Sequence, residues 1–199
     1  VKGKNVVTVV AEDDVRKPIP RGKQSDRYES YGCFYTRTTG IWQTVWLEFT
    51  EKSYIDYVKY YPDYRTGTLA VTGKVTGCES LILKASYEGR EVGTASIDNC
   101  SGTFSLTLNL SEIHLWEAGH GRLYDLSLTY GKDQVLSYFG LRNIWFDGFK
   151  FMLNGKSVFQ RLILDQGYWK DSGITPPSAD ALKSDILYMK DAGFNGARK

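Results

Sequence analysis

The sequence predicts a mainly β protein in which an immunoglobulin-like β-sandwich is followed by one β-α-β unit. The first observation is a run of about seven short strand-like segments between residues 50 and 142, each bounded by Gly, Asn or Asp. The second is the change after residue 142 to an apolar strand, an amphipathic helix and the start of another strand. That order is typical of two parallel strands joined by a helical crossover.

Residues 1–50 are predicted to form two strands, at residues 6–10 and 40–49, around a long polar loop. The second strand is apolar on both faces, so we expect both faces to be covered, as in a sandwich. The loop at residues 11–32 is rich in Pro, Gly and charge. Loops of this length are uncommon and are usually functional or disordered.

The middle of the chain has the period of a sheet with one buried face. In residues 104–110, every second residue is Phe or Leu, and Ser, Thr and Asn stand between them. Separate short strands are predicted at residues 68–77, 80–89, 90–98, 102–110 and 123–131.

Turn and cap residues divide the last part of the chain. Asn154-Gly155 is typical of a hairpin turn, and the apolar segment after it predicts a strand that ends near Leu164. Ser178 is a suitable N-cap for a helix and Gly193 a suitable end. The helix is expected to carry one apolar face, made of Leu182, Ile186 and Met189.

The composition excludes several classes of partner. The net charge of +2 comes from interleaved basic and acidic residues, which gives no basic stripe for nucleic acid. No apolar run approaches the ~20 residues of a membrane span. We therefore expect no nucleic-acid partner and no membrane. The 14 Tyr and 5 Trp suit β-sheet packing, and such residues also line carbohydrate-binding surfaces.

Neither a metal nor a cofactor is expected. The three cysteines fit no disulfide framework and no metal site, although pairing of Cys78 with Cys100 stays open. His114 and His120 lie in one connection, where solvated histidines are a better explanation than metal ligands. The chain has no phosphate-binding glycine motif and no recognisable catalytic Ser-His or Cys-His frame.

Five stretches carry a family resemblance. They are YTRTTGIWQTVWLEF (35–49), LWEAGHGRLYDLSLTY (115–130), YFGLRNI (138–144), FMLNGKSVFQRLILDQGYW (151–169) and LKSDILYMKDAGFNGARK (182–199). They resemble, in the same order, segments of glycoside hydrolase family 2, the family of β-galactosidases, β-glucuronidases and β-mannosidases. Many members have Gly where this chain has Leu162. The DQGYW form resembles a bacterial subgroup commonly labelled β-galactosidase or β-glucuronidase-like.

The resemblance implies three domains. They are the C-terminal part of a jelly-roll sugar-binding domain (1–50), the immunoglobulin-like sandwich (51–143) and the truncated start of a (β/α)8 TIM barrel (144–199). It also implies retaining hydrolysis of terminal β-glycosides, β-galactosidase-like, by two glutamates on later barrel strands beyond Lys199. All glutamates of this chain lie before residue 118, so we expect the chain alone to be inactive. The compartment, cytoplasmic or periplasmic, is left open.

The resemblance further implies substrate-binding residues. Asp165 follows the first barrel strand, where a carboxylate would accept hydrogen bonds from a sugar; alternatively, it caps backbone amides. Arg198, at the next strand end, would brace the pocket or pair with a catalytic glutamate; alternatively, it is solvated. Asp14 or Arg21 would face the sugar from the long loop, which is otherwise disordered. Trp169 would stack on a sugar or pack in a core.

Two functions remain in competition. One is a fragment of a glycosidase; the other is a stand-alone carbohydrate-binding or adhesion module built on an aromatic-rich sandwich. A β-α-β unit that stops in its second strand favours the first. We expect the apolar helix face to pack on the sandwich, to pair with a second copy in a homo-oligomer, or to be mobile.

Overall fold

The computed structural model describes residues 3–14, 17–20 and 22–199. The chain forms two compact units, which are described separately. One is Glu48–Gln160, called the sandwich unit below. The other joins Val1–Leu47 with Arg161–Lys199 and is called the β-α-β unit. No helix in the described part of the chain is long and apolar enough to cross a membrane.

Five antiparallel strands form the sheet of the sandwich unit. They are β1 (Tyr54–Asp63), β2 (Thr68–Tyr87), β3 (Arg90–Asn109), β4 (Tyr124–Tyr130) and β5 (Asp133–Phe139). The strand order is β1-β2-β4-β5, and β3 pairs with β2. The first half of β2 lies between β1 and the second half of β3, whereas its second half lies between the first half of β3 and β4. The sheet is therefore curled.

A single core is enclosed by this curled sheet. Leu69 in the first half of β2 and Leu81 and Leu83 in its second half are fully inaccessible to solvent, and so is Leu128 on β4. Each buried Leu contributes about 1.5–3 kcal/mol relative to an exposed one. The predicted mainly β fold with strands buried on one face is confirmed.

The strand count was wrong in the middle of the chain. Four predicted short strands are the halves of two 20-residue strands, β2 and β3. The β2–β3 register shifts between Val75 and Glu79 and again between Glu79 and Leu81, which marks an irregular, bulged segment. Gly77 and Gly102 there have φ of 97° and 66°. These glycines signalled loops in the sequence, but they allow long strands to bend without ending.

One hydroxyl holds the two strands together at this bulge. Tyr130 on β4 donates its hydroxyl hydrogen to the carbonyl of Cys100 at 2.8 Å and accepts from the amide of Glu79 at 3.1 Å. Glu79 and Cys100 face each other across the irregular register. The bulge leaves backbone groups without ladder partners, and the Tyr130 hydroxyl satisfies two of them.

A three-stranded antiparallel sheet completes the sandwich unit. Its strands are β6 (Ile144–Asp147), β7 (Lys150–Leu153) and β8 (Lys156–Ser157). The predicted turn between β7 and β8 is confirmed, because Asn154 and Gly155 have φ of 49° and 82°.

A buried asparagine fixes this small sheet. Asn154 is 7% exposed, and its amide group donates to the Trp116 carbonyl at 2.9 Å while its oxygen accepts from the Asn143 amide at 3.0 Å. The side chain of Asn143 in turn accepts from the backbone of Tyr64 at 3.0 Å. The side chains of two asparagines thus tie the turn to two connections of the sandwich.

The β-α-β unit has the predicted order of elements. β9 (Leu162–Leu164) and β10 (Gly196–Arg198) are parallel, with Ile163 opposite Ala197, and α1 (Ala179–Asp191) connects them. The strand, helix and strand predicted for this region are confirmed. Leu162 occupies the space beside Gly196, where a Cβ would come within 2.7 Å of its side chain.

Both helix ends follow the prediction. The Ser178 hydroxyl accepts from the amide of Ala181 at 3.1 Å. At the other end Gly193 has φ of 84°, and its amide donates to the Lys190 carbonyl at 3.0 Å. The amide of Phe194 donates to the Met189 carbonyl at 3.1 Å, which completes a Schellman motif. On the predicted apolar face, Ile186 remains 62% exposed.

Two predicted strands do not form. Residues 6–10 and 40–49 have no strand hydrogen bonding, and their apolar side chains are exposed, Val7 by 86% and Leu47 by 84%. The expectation that residues 40–49 are covered on both faces was wrong. An extended apolar segment becomes a strand only when another strand pairs with it, and the described residues supply none here.

The cysteines are free in the structure. Cys33 and Cys78 are exposed, whereas Cys100 is buried in the sandwich core. No disulfide joins Cys78 to Cys100.

We expect Asn154→Ala to lower the free energy of unfolding of the sandwich unit by about 2–4 kcal/mol, because two hydrogen bonds to backbone groups are lost and a positive φ is kept. Urea unfolding followed by tryptophan fluorescence measures the change. Asn99→Ala is the matched control, because exposed Asn99 has φ of 51° and the substitution imposes the same backbone strain. Equal losses in the two variants would contradict the assigned role of the Asn154 side chain.

We expect Tyr130→Phe to lower the free energy of unfolding by about 1–3 kcal/mol, because the amide of Glu79 and the carbonyl of Cys100 lose their shared partner. Hydrogen exchange should show the largest loss of protection at the Glu79 amide. Tyr138→Phe removes a hydroxyl from an exposed ring on β5 and should leave both measurements unchanged. An unchanged Glu79 exchange rate in Tyr130→Phe would refute the bridge.

Candidate functional site

The parallel pairing of β9 with β10 brings two charged residues to one edge. Asp165 follows β9 and Lys199 follows β10, so both lie at the carboxyl ends of neighbouring strands. The Asp165 amide donates to the Arg198 carbonyl at 3.0 Å, which extends the ladder by one step. The side chains of Asp165 and Lys199 then meet, with Oδ2 and Nζ 2.6 Å apart.

Both oxygens of Asp165 have donors. Oδ2 accepts from Lys199, and Oδ1 accepts from the backbone amide of Gly167 at 2.9 Å. The hydrogen bond from Lys199 is the largest influence that holds the pKa of the Asp165 carboxyl below its usual range, and the Gly167 amide acts in the same direction. Partial burial opposes this by raising the pKa. The expected alternative, an aspartate that caps a backbone amide, is therefore observed.

Arg198 occupies the strand end, but it does not contact Asp165 through its side chain. Its carbonyl accepts from the Asp165 amide, and its side chain is exposed. The neighbouring Lys199 provides the cation at this edge.

A groove of about 500 Å³ lies within the β-α-β unit, and Asp165 and Lys199 are not among the residues that line it. Its aromatic part contains Tyr35 and Tyr168, whose rings stack with centroids 4.0 Å apart, and also Trp169. Gly167 lies next to both the Trp169 ring and Lys199, because a Cβ there would be 3.9 Å from the ring and 3.5 Å from Lys199 Nζ. The remaining lining is polar: Ser30, Thr36, Thr38, Lys170, Asp171, Ser172 and the backbone of Gly173.

One wall of the groove is held by the long N-terminal loop. Backbone hydrogen bonds join Tyr35 to residues 23 and 25, at 2.8 and 2.6 Å. The side-chain oxygen of Gln24 accepts from the Thr38 amide at 2.8 Å. Gln24, which the sequence placed in a candidate sugar-facing loop, thus positions lining residues rather than lining the groove itself.

The opposite wall is a tight loop. Backbone hydrogen bonds in both directions join Trp169 and Gly173, at 2.8 and 3.1 Å. Gly173 has φ of 63°, and a Cβ there would lie 2.9 Å from the Thr38 methyl group. The loop therefore requires glycine both for its backbone conformation and for its approach to Thr38. Within it, the Ser172 hydroxyl is buried and has no hydrogen-bond partner among the described residues.

Asp14 is a candidate of the long loop that the structure describes. Asp14 is exposed and pairs with Lys17 at 3.4 Å, and it is not part of the groove lining. Arg21 lies outside the described residues.

His114 belongs to a charged cluster in the sandwich unit. Its Nε2 lies 2.9 Å from Glu112, which also pairs with Arg90 at 3.0 Å, and its ring stacks on Tyr87. The hydrogen bond with His114, aided by the charge of Arg90, lowers the pKa of Glu112. The contacts fix the connection after β3. In the described part of the chain, no group of three or more His, Cys, Asp or Glu side chains is arranged to hold a metal ion.

Sequence reasoning named Asp165 and Trp169 as candidates but did not name Lys199, Tyr35 or Tyr168. The position of Lys199 near Asp165 could be predicted from the sequence, because in a parallel pair the first residue after each strand lies at the same edge of the sheet. The position of Tyr35 could not be predicted, since it is distant in sequence and its position depends on tertiary contacts of the loop.

The arrangement suits a polyhydroxylated ligand. Aromatic rings stack on the apolar faces of sugars, while carboxylate, hydroxyl and ammonium groups bond to their hydroxyls. Asp165 is ionised at neutral pH and accepts only. Retaining glycoside hydrolysis needs two carboxyl groups about 5–5.5 Å apart on either side of the scissile bond, and Asp165 alone does not supply them.

Solved structures similar to this chain include bacterial β-glucuronidases. The β-glucuronidase of Faecalibacterium prausnitzii has a TM-score of 0.64 and 27% identity, over 74% of this chain and 24% of that one. The Ruminococcus gnavus β-glucuronidase in complex with D-glucuronic acid has a TM-score of 0.63 and 18% identity, over 74% and 26%. Its complex with C6-substituted uronic isofagomine gives 0.62 and 18%, with the same coverage.

The chain thus spans about a quarter of the length of these enzymes. At 18% identity, the likeness establishes a shared fold alone. No family model matches the chain, and no curated protein matches it.

We expect Gly173→Ala to open the loop at Trp169, because the added Cβ is both strained and too close to Thr38. Hydrogen exchange at the Trp169 amide should become at least about tenfold faster, which corresponds to roughly 1.4 kcal/mol. Gly22→Ala is the matched control: Gly22 has φ of 62° but open space at its Cβ position. If both variants exchange alike at Trp169, contact with Thr38 is not what closes the loop.

Proposed function

We propose that this chain is part of a retaining glycoside hydrolase that cleaves terminal β-glycosides and is β-galactosidase-like. The observation that carries the proposal is the carboxylate of Asp165 at the ends of two parallel strands, followed closely in sequence by residues 168–173, which line an aromatic and hydroxyl-rich groove. The fold shared with bacterial β-glucuronidases supports a glycosidase. The family 2 motifs of the sequence point the same way.

In this proposal the chain supplies part of the sugar-binding side of the site. Asp165 accepts hydrogen bonds from hydroxyls of the terminal sugar, and its ion pair with Lys199 leaves lone pairs available. Trp169 offers a ring edge or face beside it, next to the stacked Tyr35 and Tyr168. Arg198 and Asp14 retain their proposed roles as a brace at the strand end and a sugar-facing loop residue.

The catalytic pair is proposed to come from outside this chain. No glutamate follows residue 117, so the β9-α1-β10 region contains none. We propose that β9, α1 and β10 begin a TIM barrel whose later strands carry the two glutamates. Residues 1–50 would then belong to a jelly-roll domain and residues 51–143 to the sandwich that separates it from the barrel.

A second proposal is a stand-alone carbohydrate-binding or adhesion module. It is favoured by the composition of the groove, which combines stacked tyrosines and Trp169 with several hydroxyl side chains. The two proposals share the ligand class and differ in whether hydrolysis follows binding.

We expect the 199-residue chain to bind a simple β-glycoside weakly and to hydrolyse none. Chemical-shift titration with methyl β-D-galactopyranoside should perturb Trp169 and Gly167, and Asp165→Asn should abolish the perturbation because a charged acceptor is lost. Asp125→Asn, in an exposed position on β4, is the control and should bind normally.

Hydrolysis is tested on the same material with 4-nitrophenyl β-D-galactopyranoside and the corresponding glucuronide. Hydrolysis of either substrate by extensively purified chain would contradict the proposal that the catalytic pair lies outside this chain. Absence of any chemical-shift change with methyl β-D-galactopyranoside would remove Asp165 from the proposed substrate site.

A further inference from the structure

We propose that Lys199 is a positioning residue, which fixes the Asp165 carboxylate for a sugar ligand. The inference rests on the proposed function in one respect, the assignment of Asp165 to a sugar-binding site. The claim that Lys199 holds Asp165 is based on the 2.6 Å contact between Lys199 Nζ and Asp165 Oδ2.

The carboxylate is held at two points that come from different elements. The Gly167 amide, in the loop after β9, fixes Oδ1, and Lys199, after β10, fixes Oδ2. A carboxylate held only by the loop would rotate about its side-chain torsions. Two donors on opposite oxygens remove that freedom, and a preorganised acceptor binds more tightly because less ordering remains to be done on binding.

The pair is also suited to this role by its exposure. The Asp165 side chain is 21% exposed and that of Lys199 63%, so the carboxylate is partly enclosed while the ammonium is largely hydrated. The contact therefore orients Asp165 without requiring a buried charge on either side. The remaining lone pairs of the two oxygens are left to accept from ligand hydroxyls.

Lys199 is the charged group of the described chain that acts on Asp165. From the β9 loop the facing group is the neutral Gly167 amide, and from β10 it is Lys199. Both lower the pKa of the carboxyl, so the ionised form persists to lower pH than in an isolated aspartate. Removal of the ammonium raises this pKa toward its ordinary value, and binding that needs the carboxylate is then lost at a higher pH.

The test uses the full chain and its variants Lys199→Met and Lys199→Arg, with Lys190→Met in the last turn of α1 as the matched control. Carboxyl carbon NMR gives the pKa of Asp165 without any ligand. It should rise in Lys199→Met, and stay low in Lys199→Arg and in the control. An unchanged pKa in Lys199→Met overturns the inference.

Titration with methyl β-D-galactopyranoside supplies the second readout. Lys199→Met should weaken binding by about three- to fivefold at neutral pH, as expected for a half-exposed ion pair. The pH at which binding is lost should also move upward, and Lys199→Arg should restore it. A raised Asp165 pKa with unchanged affinity and pH profile would refute the positioning role. Failure of the unaltered chain to bind sugar would remove Asp165 from the proposed substrate site, while the carboxyl titration still decides whether Lys199 holds Asp165.

Discussion

The sandwich unit depends on the bending of two long strands at one place. β2 and β3 each contribute to both halves of the curled sheet, and they do so only because their pairing is interrupted around Glu79 and Cys100. A straight 20-residue strand would extend well beyond any core of this size, since each residue rises about 3.3 Å. The interruption exposes backbone donors and acceptors, and the Tyr130 hydroxyl satisfies two of them from the adjacent strand. Both the bend of the two strands and the core that they enclose therefore depend on the hydrogen bonds of the Tyr130 hydroxyl.

A comparable constraint governs the candidate site in the other unit. Parallel strands end at the same edge, so the residues that follow β9 and β10 are neighbours however far apart they stand in sequence. The chain uses this geometry to place an acceptor and a cation in contact. Gly167, with φ of 67°, permits the loop to turn back onto Asp165, and Trp169 in the same loop lines the aromatic groove. The site therefore follows from strand direction together with one short loop.

Local signals predicted much of this architecture. The Asn154-Gly155 turn, the Ser178 cap and the end of the helix at Gly193 were all correct, because each depends on the preferences of a few adjacent residues. At the bulges the sequence predicts loops, since a glycine with positive φ has the same sequence signature in either setting. The position of Asp165 at the end of a strand is confirmed, because strand ends are visible in the sequence. The Tyr35–Tyr168 contact was not predicted, because 132 intervening residues separate the two rings and no periodicity reports their meeting.

The two strands that did not form show what a period-two pattern can and cannot determine. Alternation fixes which side chains share a face once a segment is extended, but the free energy of a strand comes from cross-strand hydrogen bonds and from burial against a neighbour. The segment at residues 40–49 has the pattern without the neighbour, and its side chains lie exposed. β9 and β10 have weaker patterns, at three residues each, yet they pair because α1 returns the chain to the strand it needs. A prediction of strands is therefore secure where the sequence also encodes the partner, as in a hairpin or a β-α-β unit. It is conditional where the partner must come from a distant segment.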